Sequence, residues 1–270
     1  MNYIKYTIRT AEETLQQILI AELSELKFEG FEEHPSELIA FIPEADLAAE
    51  AVKSLLEEKN TPFTTETIEP TNWNAVWESN FDPVVVGDYC GIRAHFHAPL
   101  QHVKHELLIT PKMSFGTGHH ATTSMMIAHM ENLPLNGASV VDYGTGTGIL
   151  AILAEKEGAA RILAIDNDSW SIENAAENLE RNACSRTELI QSDNIPASET
   201  FSIVLANINK HIILGNLAAI QAAANDYVLL SGLLQEDRTD MLAVFPETRF
   251  NLQAEKSKDK WISLLFSVKN

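Results

Sequence analysis

Hydrophobic positions divide the first seventy residues into short elements. Residues 3–9 alternate apolar and polar side chains, which predicts a strand with one buried face. Helices are then predicted at residues 15–26 and 45–58, and strands at 28–33, 38–42 and 64–68. The order strand–helix–strand–strand–helix–strand is typical of a ferredoxin-like α+β domain, which we place at residues 1–69.

The next stretch, residues 70–110, is less regular. Trp73 and Trp77 stand one helical turn apart, so we predict a short helix that packs both rings against the following domain. Short apolar runs further along predict strands. We therefore interpret residues 70–110 as a linker helix and strands that lead into the next domain.

From residue 111 to 270, apolar strand-like runs alternate with helix-like segments. The strands are predicted at 139–142, 162–166, 188–190, 202–206, 227–230, 250–256 and 261–268. This alternation predicts an α/β fold with a doubly wound, mostly parallel sheet and helices on both faces. No helix separates the last two strands, so we expect them to pair antiparallel.

The strongest chemical signal is Asp142-Tyr-Gly144-Thr-Gly146-Thr-Gly148, between a predicted strand and a predicted helix. Glycines at this place let the chain turn tightly and let a ligand approach the backbone. The spacing differs from the dinucleotide motif, because Ile149 stands where that motif has its last glycine. A nucleoside-triphosphate loop is excluded because the segment lacks Gly-Lys-Ser/Thr.

The acidic residue inside this motif narrows the choice of ligand. Asp142 would repel a pyrophosphate but attract a cation, and S-adenosyl-L-methionine carries an ammonium and a sulfonium. The predicted cofactor contacts of the loop are Asp142, Gly144, Gly146 and Gly148. Asp166 ends the next strand and is predicted to accept hydrogen bonds from the ribose hydroxyls. Asp168, two residues on, is interpreted as the N-cap of the following helix.

Asn207 follows a later strand and would face the same crevice. Its side-chain carbonyl can accept a hydrogen bond from an amine nucleophile and orient it, so we assign Asn207 a catalytic role and a cofactor contact. Amine methyltransferases that hold planar nitrogens often carry Pro-Pro-aromatic after this position. Ile208 and Asn209 stand there instead, so a planar substrate is less favoured.

Three segments together resemble the ribosomal protein methyltransferases of the PrmA type. They are Phe115-Gly-Thr-Gly-His-His-Ala-Thr-Thr123, Ala206-Asn207-Ile208 and Leu229-Leu-Ser-Gly-Leu-Leu234. The resemblance implies a class I methyltransferase-like domain at residues 111–270, with cofactor contacts from Thr123, Gly144, Asp166 and Asn207. It also implies that the ferredoxin-like domain recognises the substrate. That substrate would be large-subunit ribosomal protein L11, methylated on Lys side chains, on its N-terminus or on both.

Charge and composition agree with a basic protein partner. The 270 residues include 38 Asp and Glu against 19 Lys and Arg, a net charge of -19. An acidic surface repels phosphate backbones, so we expect no direct nucleic acid partner, although acidity also serves solubility. No signal-peptide or membrane-span pattern is present, so we expect a cytoplasmic protein without membrane contact.

The histidines are interpreted as structural. His95 and His97 would share one face of a strand, but no Cys or carboxylate spacing supports a metal site, so none is expected. His119 and His120 precede a predicted helix, where capping is favoured over a role as a base.

Other functions stay open at this stage. The acceptor could be another protein or a small amine, and a non-catalytic cofactor-binding module for ribosome assembly would have the same motifs. A nicotinamide oxidoreductase is disfavoured by Asp142 and Ile149.

Overall fold

The computed structural model describes residues 2–68, 82–110 and 115–269. The chain divides into two compact units, Met1–Asn80 and Phe81–Asn270. The helix predicted around Trp73 and Trp77 lies outside the described residues. Within the described part of the chain, no helix is long and apolar enough to cross a membrane.

The first unit has the element order that the hydrophobic pattern predicts. Its elements are β1 (Tyr3–Arg9), α1 (Glu13–Glu25), β2 (Gly30–His34), β3 (Glu37–Pro43), α2 (Ala49–Glu58) and β4 (Phe63–Ile68). The strands form an antiparallel sheet in the order β2-β3-β1-β4. Alternate residues of β1 (Ile4, Tyr6 and Ile8) are buried in one core with α1 and α2, which explains the period-two pattern of that strand.

The second unit is built on a seven-stranded sheet. Its strands are β8 (Ser139–Tyr143), β9 (Arg161–Asp166), β10 (Thr187–Gln191), β11 (Phe201–Asn207), β12 (Ala224–Leu234), β13 (Phe250–Lys258) and β14 (Trp261–Val268). The sheet order is β10-β9-β8-β11-β12-β14-β13. The first five strands are parallel, and β14 pairs antiparallel with both of its neighbours. The predicted mostly parallel sheet and antiparallel closing pair are confirmed.

Helices join the parallel strands and cover the sheet. They are α3 (Ala121–Met130), α4 (Ile149–Lys156), α5 (Ser169–Arg181), α6 (Lys210–Gly215), α7 (Leu217–Ala223) and α8 (Arg238–Val244). Two separate apolar clusters pack against the sheet, and the strands contribute alternating residues to each. Burial of both faces explains why the central strands β8, β9 and β11 are nearly continuous apolar runs.

A second, three-stranded sheet packs into this unit. It contains β5 (Val84–Val86), β6 (Cys90–Arg93) and β7 (His105–Leu108). Cys90 and Leu107 are fully buried in the same apolar cluster as residues of α3 and α4. The stretch interpreted from sequence as a linker is therefore divided at Asn80, and its strands belong to the second unit.

The prediction that His95 and His97 lie on a strand is wrong. β6 ends at Arg93, and both histidines lie in the turn that follows. His97 Nδ1 accepts a hydrogen bond from the Ala94 backbone at 3.1 Å. The alternation in the sequence therefore continued past the point where the backbone turns.

The order of the parallel strands reverses at β8. The chain moves from β8 to β9 and β10 on one side, then returns to β11 and β12 on the other. Ligands of open α/β sheets bind at the carboxyl ends of the strands, at such a reversal. The fold therefore brings the ends of β8, β9 and β11 together, and these carry most of the residues predicted from sequence.

Candidate cofactor and acceptor site

A cavity of about 560 Å³ lies at this carboxyl edge of the sheet. Four of the predicted site residues line it, namely Gly144, Gly146, Asp166 and Asn207. The other three, Thr123, Asp142 and Gly148, are not among its lining residues. The cofactor contacts expected of these three residues stay predictions.

The glycine loop is held in a backbone conformation that suits glycine. Gly144, Gly146 and Gly148 have φ values of 77°, 55° and 80°. A Cβ at Gly146 would overlap the Phe115 carbonyl oxygen, so glycine is required there by contact as well as by φ. The backbone amides of Gly144 and Thr145 both donate to the Ile165 carbonyl, at 2.8 and 2.9 Å. The loop is thus fixed by the neighbouring strand before any ligand binds.

Asp142 lies beneath this loop and is fully buried. Its Oδ2 accepts hydrogen bonds from Thr145 Oγ1 at 2.6 Å and from the Ala151 backbone at 3.2 Å. Its Oδ1 is buried without a partner among the described residues. Burial raises the pKa of Asp142 to about 7, and the charge of Asp166 adds to this rise, although the two hydrogen bonds oppose it. This carboxyl stabilises the loop, and a direct contact with cofactor stays a prediction.

Asp166 and Asp168 have different roles, as their positions in the sequence predict. Asp166 lines the cavity, and its carboxylate accepts from the Gly146 backbone at 2.8 Å. Asp168 accepts from the backbone of Ser171 at 3.1 Å and is the N-cap of α5. The predicted cap is confirmed, and Asp166 remains the carboxylate available to a ligand.

Asn207 has a side-chain hydrogen-bond acceptor that no donor in the described part of the chain pairs with. The residue is 9% exposed and lines the cavity at the end of β11. Its Nδ2 donates to Thr123 Oγ1 at 3.3 Å, whereas its Oδ1 is buried without a hydrogen-bond partner. Buried carbonyl oxygens are normally paired, so an unpaired one in a cavity indicates a place for a ligand donor.

Thr123 stands behind Asn207 and does not line the cavity. Its side chain is fully buried, and its hydroxyl oxygen accepts a hydrogen bond from Asn207 Nδ2. The structure therefore gives Thr123 a part in orienting Asn207. The cofactor contact that the family resemblance implies for Thr123 stays a prediction.

Among the aromatic residues that line the cavity, His120, Phe115 and Trp261 form a cluster that sequence reasoning did not assign to the site. The His120 ring lies edge-on to Phe115 and Trp261, with centroids 5.2 and 4.8 Å apart. His120 is the N-cap of α3, since its Nδ1 accepts from the Thr122 backbone. Burial and nearby Lys260 lower the pKa of His120, which favours the neutral ring. Trp261 carried no sequence signal, because it joins the site only through the pairing of β14 with β12.

Asp193 was also missed. It follows β10 and lines the cavity beside Ser192 and Asn194. Its carboxylate accepts from Asn167 Nδ2 at 3.0 Å, and its backbone carbonyl accepts from Tyr143 Oη at 2.6 Å. An acid after the third parallel strand was the available signal, since that strand ends at the same edge of the sheet.

The chemistry of the lining residues fits a cationic nucleoside ligand. The described lining contains the carboxylates of Asp166 and Asp193 and no Lys or Arg. Such a lining offers no countercharge to a phosphate, and it attracts a sulfonium or an ammonium. Within residues 2–68, 82–110 and 115–269, no cluster of His, Cys, Asp and Glu could hold a metal ion.

Comparison with known proteins gives a family for the chain. The model of the family described as ribosomal protein L11 methyltransferase (PrmA) matches residues 6–269. A relative from Porphyromonas gingivalis with the name "Ribosomal protein L11 methyltransferase" is 36% identical, over 99% of this chain and 98% of its own length. A relative of the same name from Chlorobaculum tepidum is 38% identical, over 95% and 93%.

A solved structure agrees with these relatives. The crystal structure of a ribosomal protein L11 methylase from Lactobacillus delbrueckii subsp. bulgaricus superposes with a TM-score of 0.65 at 25% identity. The match covers 70% of this chain and the whole of that one. The part of the chain with the mostly parallel sheet therefore has the methyltransferase-like α/β fold that the sequence predicted.

Proposed function

Because this chain belongs to the ribosomal protein L11 methyltransferase (PrmA) family, we propose that it methylates amino groups of ribosomal protein L11. It is a protein methyltransferase that depends on S-adenosyl-L-methionine. The acceptor groups in our proposal are Lys side chains, the N-terminal amine of L11, or both. The observation that carries this proposal is the buried, unpaired Oδ1 of Asn207 in the cavity, since an amine is a donor suited to it.

We assign the two sides of the cavity to the two substrates. The cofactor half consists of Gly144 and Gly146, from the glycine loop at residues 144–148, together with Asp166. The acceptor half consists of Asn207, Ile208, Asn209 and Gly232. In the cofactor half, the Asp166 carboxylate would accept hydrogen bonds from ribose hydroxyls, while the glycines leave room for close approach. The negative charges of Asp166 and Asp193 favour the cationic cofactor over its neutral-sulfur product.

In the acceptor half, Asn207 Oδ1 would accept a hydrogen bond from the attacking amine and hold its lone pair in line. S-adenosyl-L-methionine supplies an electrophilic methyl group on its sulfonium when bound. The protein contributes mainly alignment, which is worth several powers of ten in rate for a well-placed pair of reactants.

A Lys amine has a pKa of about 10.4 in water and must lose its proton before it attacks. His120 is poorly placed to take it, because its Nδ1 already accepts from the Thr122 backbone and its other nitrogen carries the proton of the neutral ring. We therefore propose that the proton leaves to water rather than to His120.

The first unit is proposed to recognise the substrate as a ferredoxin-like module. Its residues 1–60 contain 13 acidic and 5 basic residues, which suits a basic protein and disfavours direct nucleic acid binding. We propose that it works in the cytoplasm, where it would meet newly made ribosomal proteins.

Transfer of a labelled methyl group tests the proposal. Purified L11, a second basic ribosomal protein and free lysine would each be incubated with the protein and labelled S-adenosyl-L-methionine. We expect label in L11 alone. Label in another acceptor would replace the proposed substrate, and tight cofactor binding without label in any of them would favour a non-catalytic binding module.

A further inference from the structure

The acceptor half depends on a turn that begins where β11 ends, and three contacts hold this turn. At its start, Asn207 Nδ2 donates to Thr123 Oγ1. In its middle, the backbone of Ile208 lies so close to Gly232 that a Cβ at Gly232 would overlap the Ile208 carbonyl oxygen. At its end stands Lys210, the first residue of α6, which neither the motif analysis nor the family resemblance assigned a role.

Lys210 links this turn to the segment that follows Gly232. Its Nζ donates to Asp237 Oδ1 at 2.8 Å and to Asp240 Oδ2 at 2.6 Å. The second oxygen of Asp237 accepts from the Leu234 backbone at 2.8 Å. Leu234 is two residues beyond Gly232. Through Asp237, the Lys210 side chain therefore links the ends of β11 and β12, which form the acceptor half.

The charges make this link persistent. The side chains of Lys210 and Asp237 are 24% and 14% exposed, whereas that of Asp240 is 64% exposed, so the Lys210–Asp237 pair is the sheltered part of the link. The carboxylates of Asp237 and Asp240 raise the pKa of Lys210, chiefly through their hydrogen bonds to it. The ammonium therefore stays protonated throughout the working range of pH. Ion pairs with several partners and little exposure restrict motion more than a single exposed pair does.

A neighbouring ion pair provides a matched control. Arg238 Nε donates to Glu255 Oε2 at 2.8 Å, and the two side chains are 43% and 42% exposed. Arg238 is the first residue of α8 and directly follows Asp237, but neither Arg238 nor Glu255 lines the cavity. Loss of this pair would remove a salt bridge from the same segment without releasing the turn.

We propose that Lys210 is a positioning residue for methyl transfer: it holds the turn Asn207–Asn209 against the segment after Gly232, and so fixes the place of Asn207 Oδ1. The inference rests on the proposed function, since it assigns the acceptor to this turn. A displacement of about 1 Å at a reacting group can cost roughly a hundredfold in rate. Loss of Lys210 should therefore lower kcat with L11 by about tenfold or more, while cofactor affinity stays within about twofold.

The test compares Lys210→Met, Lys210→Arg and Arg238→Met in the full-length protein. For each we would measure kcat and KM with purified L11, the Kd of S-adenosyl-L-methionine by calorimetry, and the melting temperature. We expect Lys210→Met to lower kcat selectively, Lys210→Arg to restore most of it, and Arg238→Met to leave both constants near wild type.

Three results would overturn this inference. One is an unchanged kcat in Lys210→Met. Another is an equal loss of kcat in Arg238→Met, which would indicate a general effect of destabilising the segment. The third is a loss in Lys210→Arg as large as in Lys210→Met. Absence of methyl transfer by the wild-type protein would instead refute the proposed function, so the two failures are distinguishable.

Discussion

The contact that fixes Asp166 in the cofactor half joins neighbouring parts of the chain, whereas the contact that orients Asn207 in the acceptor half joins residues far apart in the sequence. Gly146 and Asp166, which bond to each other, are 20 positions apart. Asn207 and Thr123 are 84 positions apart. The first contact follows from one strand–loop–helix–strand unit, and the second requires the complete sheet.

The two halves also differ in how far their polar groups are satisfied. In the cofactor half, the loop amides of Gly144 and Thr145 are bonded to Ile165, and Asp166 is bonded to the loop. In the acceptor half, Asn207 lines the cavity and keeps an unpaired buried oxygen, whereas the unpaired oxygen of Asp142, beneath the cofactor half, belongs to a residue that does not line the cavity. The difference implies that the cofactor half is preformed, and that the acceptor half reaches full hydrogen bonding only when an amine arrives.

The largest effect is expected from Asn207→Leu, which replaces the amide by an apolar group of similar size. Loss of the acceptor for the amine should lower kcat with L11 by roughly a hundredfold. The Kd of S-adenosyl-L-methionine, measured by calorimetry, should change much less. A large loss of cofactor affinity with little change in kcat would leave Asn207 only the cofactor contact that the sequence analysis also assigned to it.

Asp166→Ala should have the opposite signature. Removing a carboxylate that binds hydroxyls costs about 1.5–3 kcal/mol, so cofactor Kd should rise by roughly tenfold to a hundredfold, with kcat at saturation nearly kept. Asp168→Ala is the control: it removes the N-cap of α5 and should lower stability by about 1 kcal/mol without changing this Kd. Equal Kd values for the two variants would remove Asp166 from the proposed ribose contact.

A smaller effect is expected from Thr123→Val, which keeps the shape of the side chain but removes the hydroxyl. Loss of one neutral hydrogen bond to Asn207 is worth about 1 kcal/mol, so kcat should fall by roughly fivefold, and Thr123→Ser should restore it. Steady-state kinetics with L11 and calorimetry with cofactor would separate the alternatives. A change confined to cofactor Kd would assign Thr123 to the cofactor half, as the family resemblance implies.

The last prediction concerns stability rather than methyl transfer, and the pH dependence that comes from the carboxyl beneath the cofactor half. The pKa of Asp142 rises from 3.8 to about 7 on folding, chiefly through burial. The folded protein therefore binds an extra proton between these values, and the stabilisation present below about pH 4 is lost as pH rises to about 7. The slope is at most about 1.4 kcal/mol per pH unit.

Urea unfolding of the wild type and of Asp142→Asn, between pH 5 and pH 8, would measure this contribution as a difference. We expect the wild type to lose stability relative to the variant up to about pH 7 and then run parallel to it. Parallel curves over the whole range would show that Asp142 is ionised in the folded protein at every pH tested.

The same comparison explains what the sequence could predict. The glycines, Asp166 and the cap at Asp168 belong to one strand–loop–helix–strand unit. The local sequence pattern was therefore enough to predict their positions. The central strands β8, β9 and β11 were predictable because both of their faces are buried, which gives a nearly continuous apolar run. Asn207 was found because it ends such a strand.

Features that depend on distant pairing were missed. Trp261 reaches the cavity because β14 pairs with β12, and no local pattern indicates that pairing. The strands β5, β6 and β7 are only three or four residues long, so their packing into the second unit could not be distinguished from a linker. Lys210 and its two carboxylates meet only after β12 lies beside β11.

The central claim is that the acceptor half presents an amino group of L11 to the cofactor through Asn207. Mass spectrometry of intact and digested L11, after incubation with S-adenosyl-L-methionine and either wild-type protein or Asn207→Leu, tests it most directly. The account predicts added methyl groups on Lys side chains or the N-terminus with the wild type, and only traces with the variant over the same time. Unmodified L11 with the wild-type protein, or methylation at equal rates by both proteins, would contradict it.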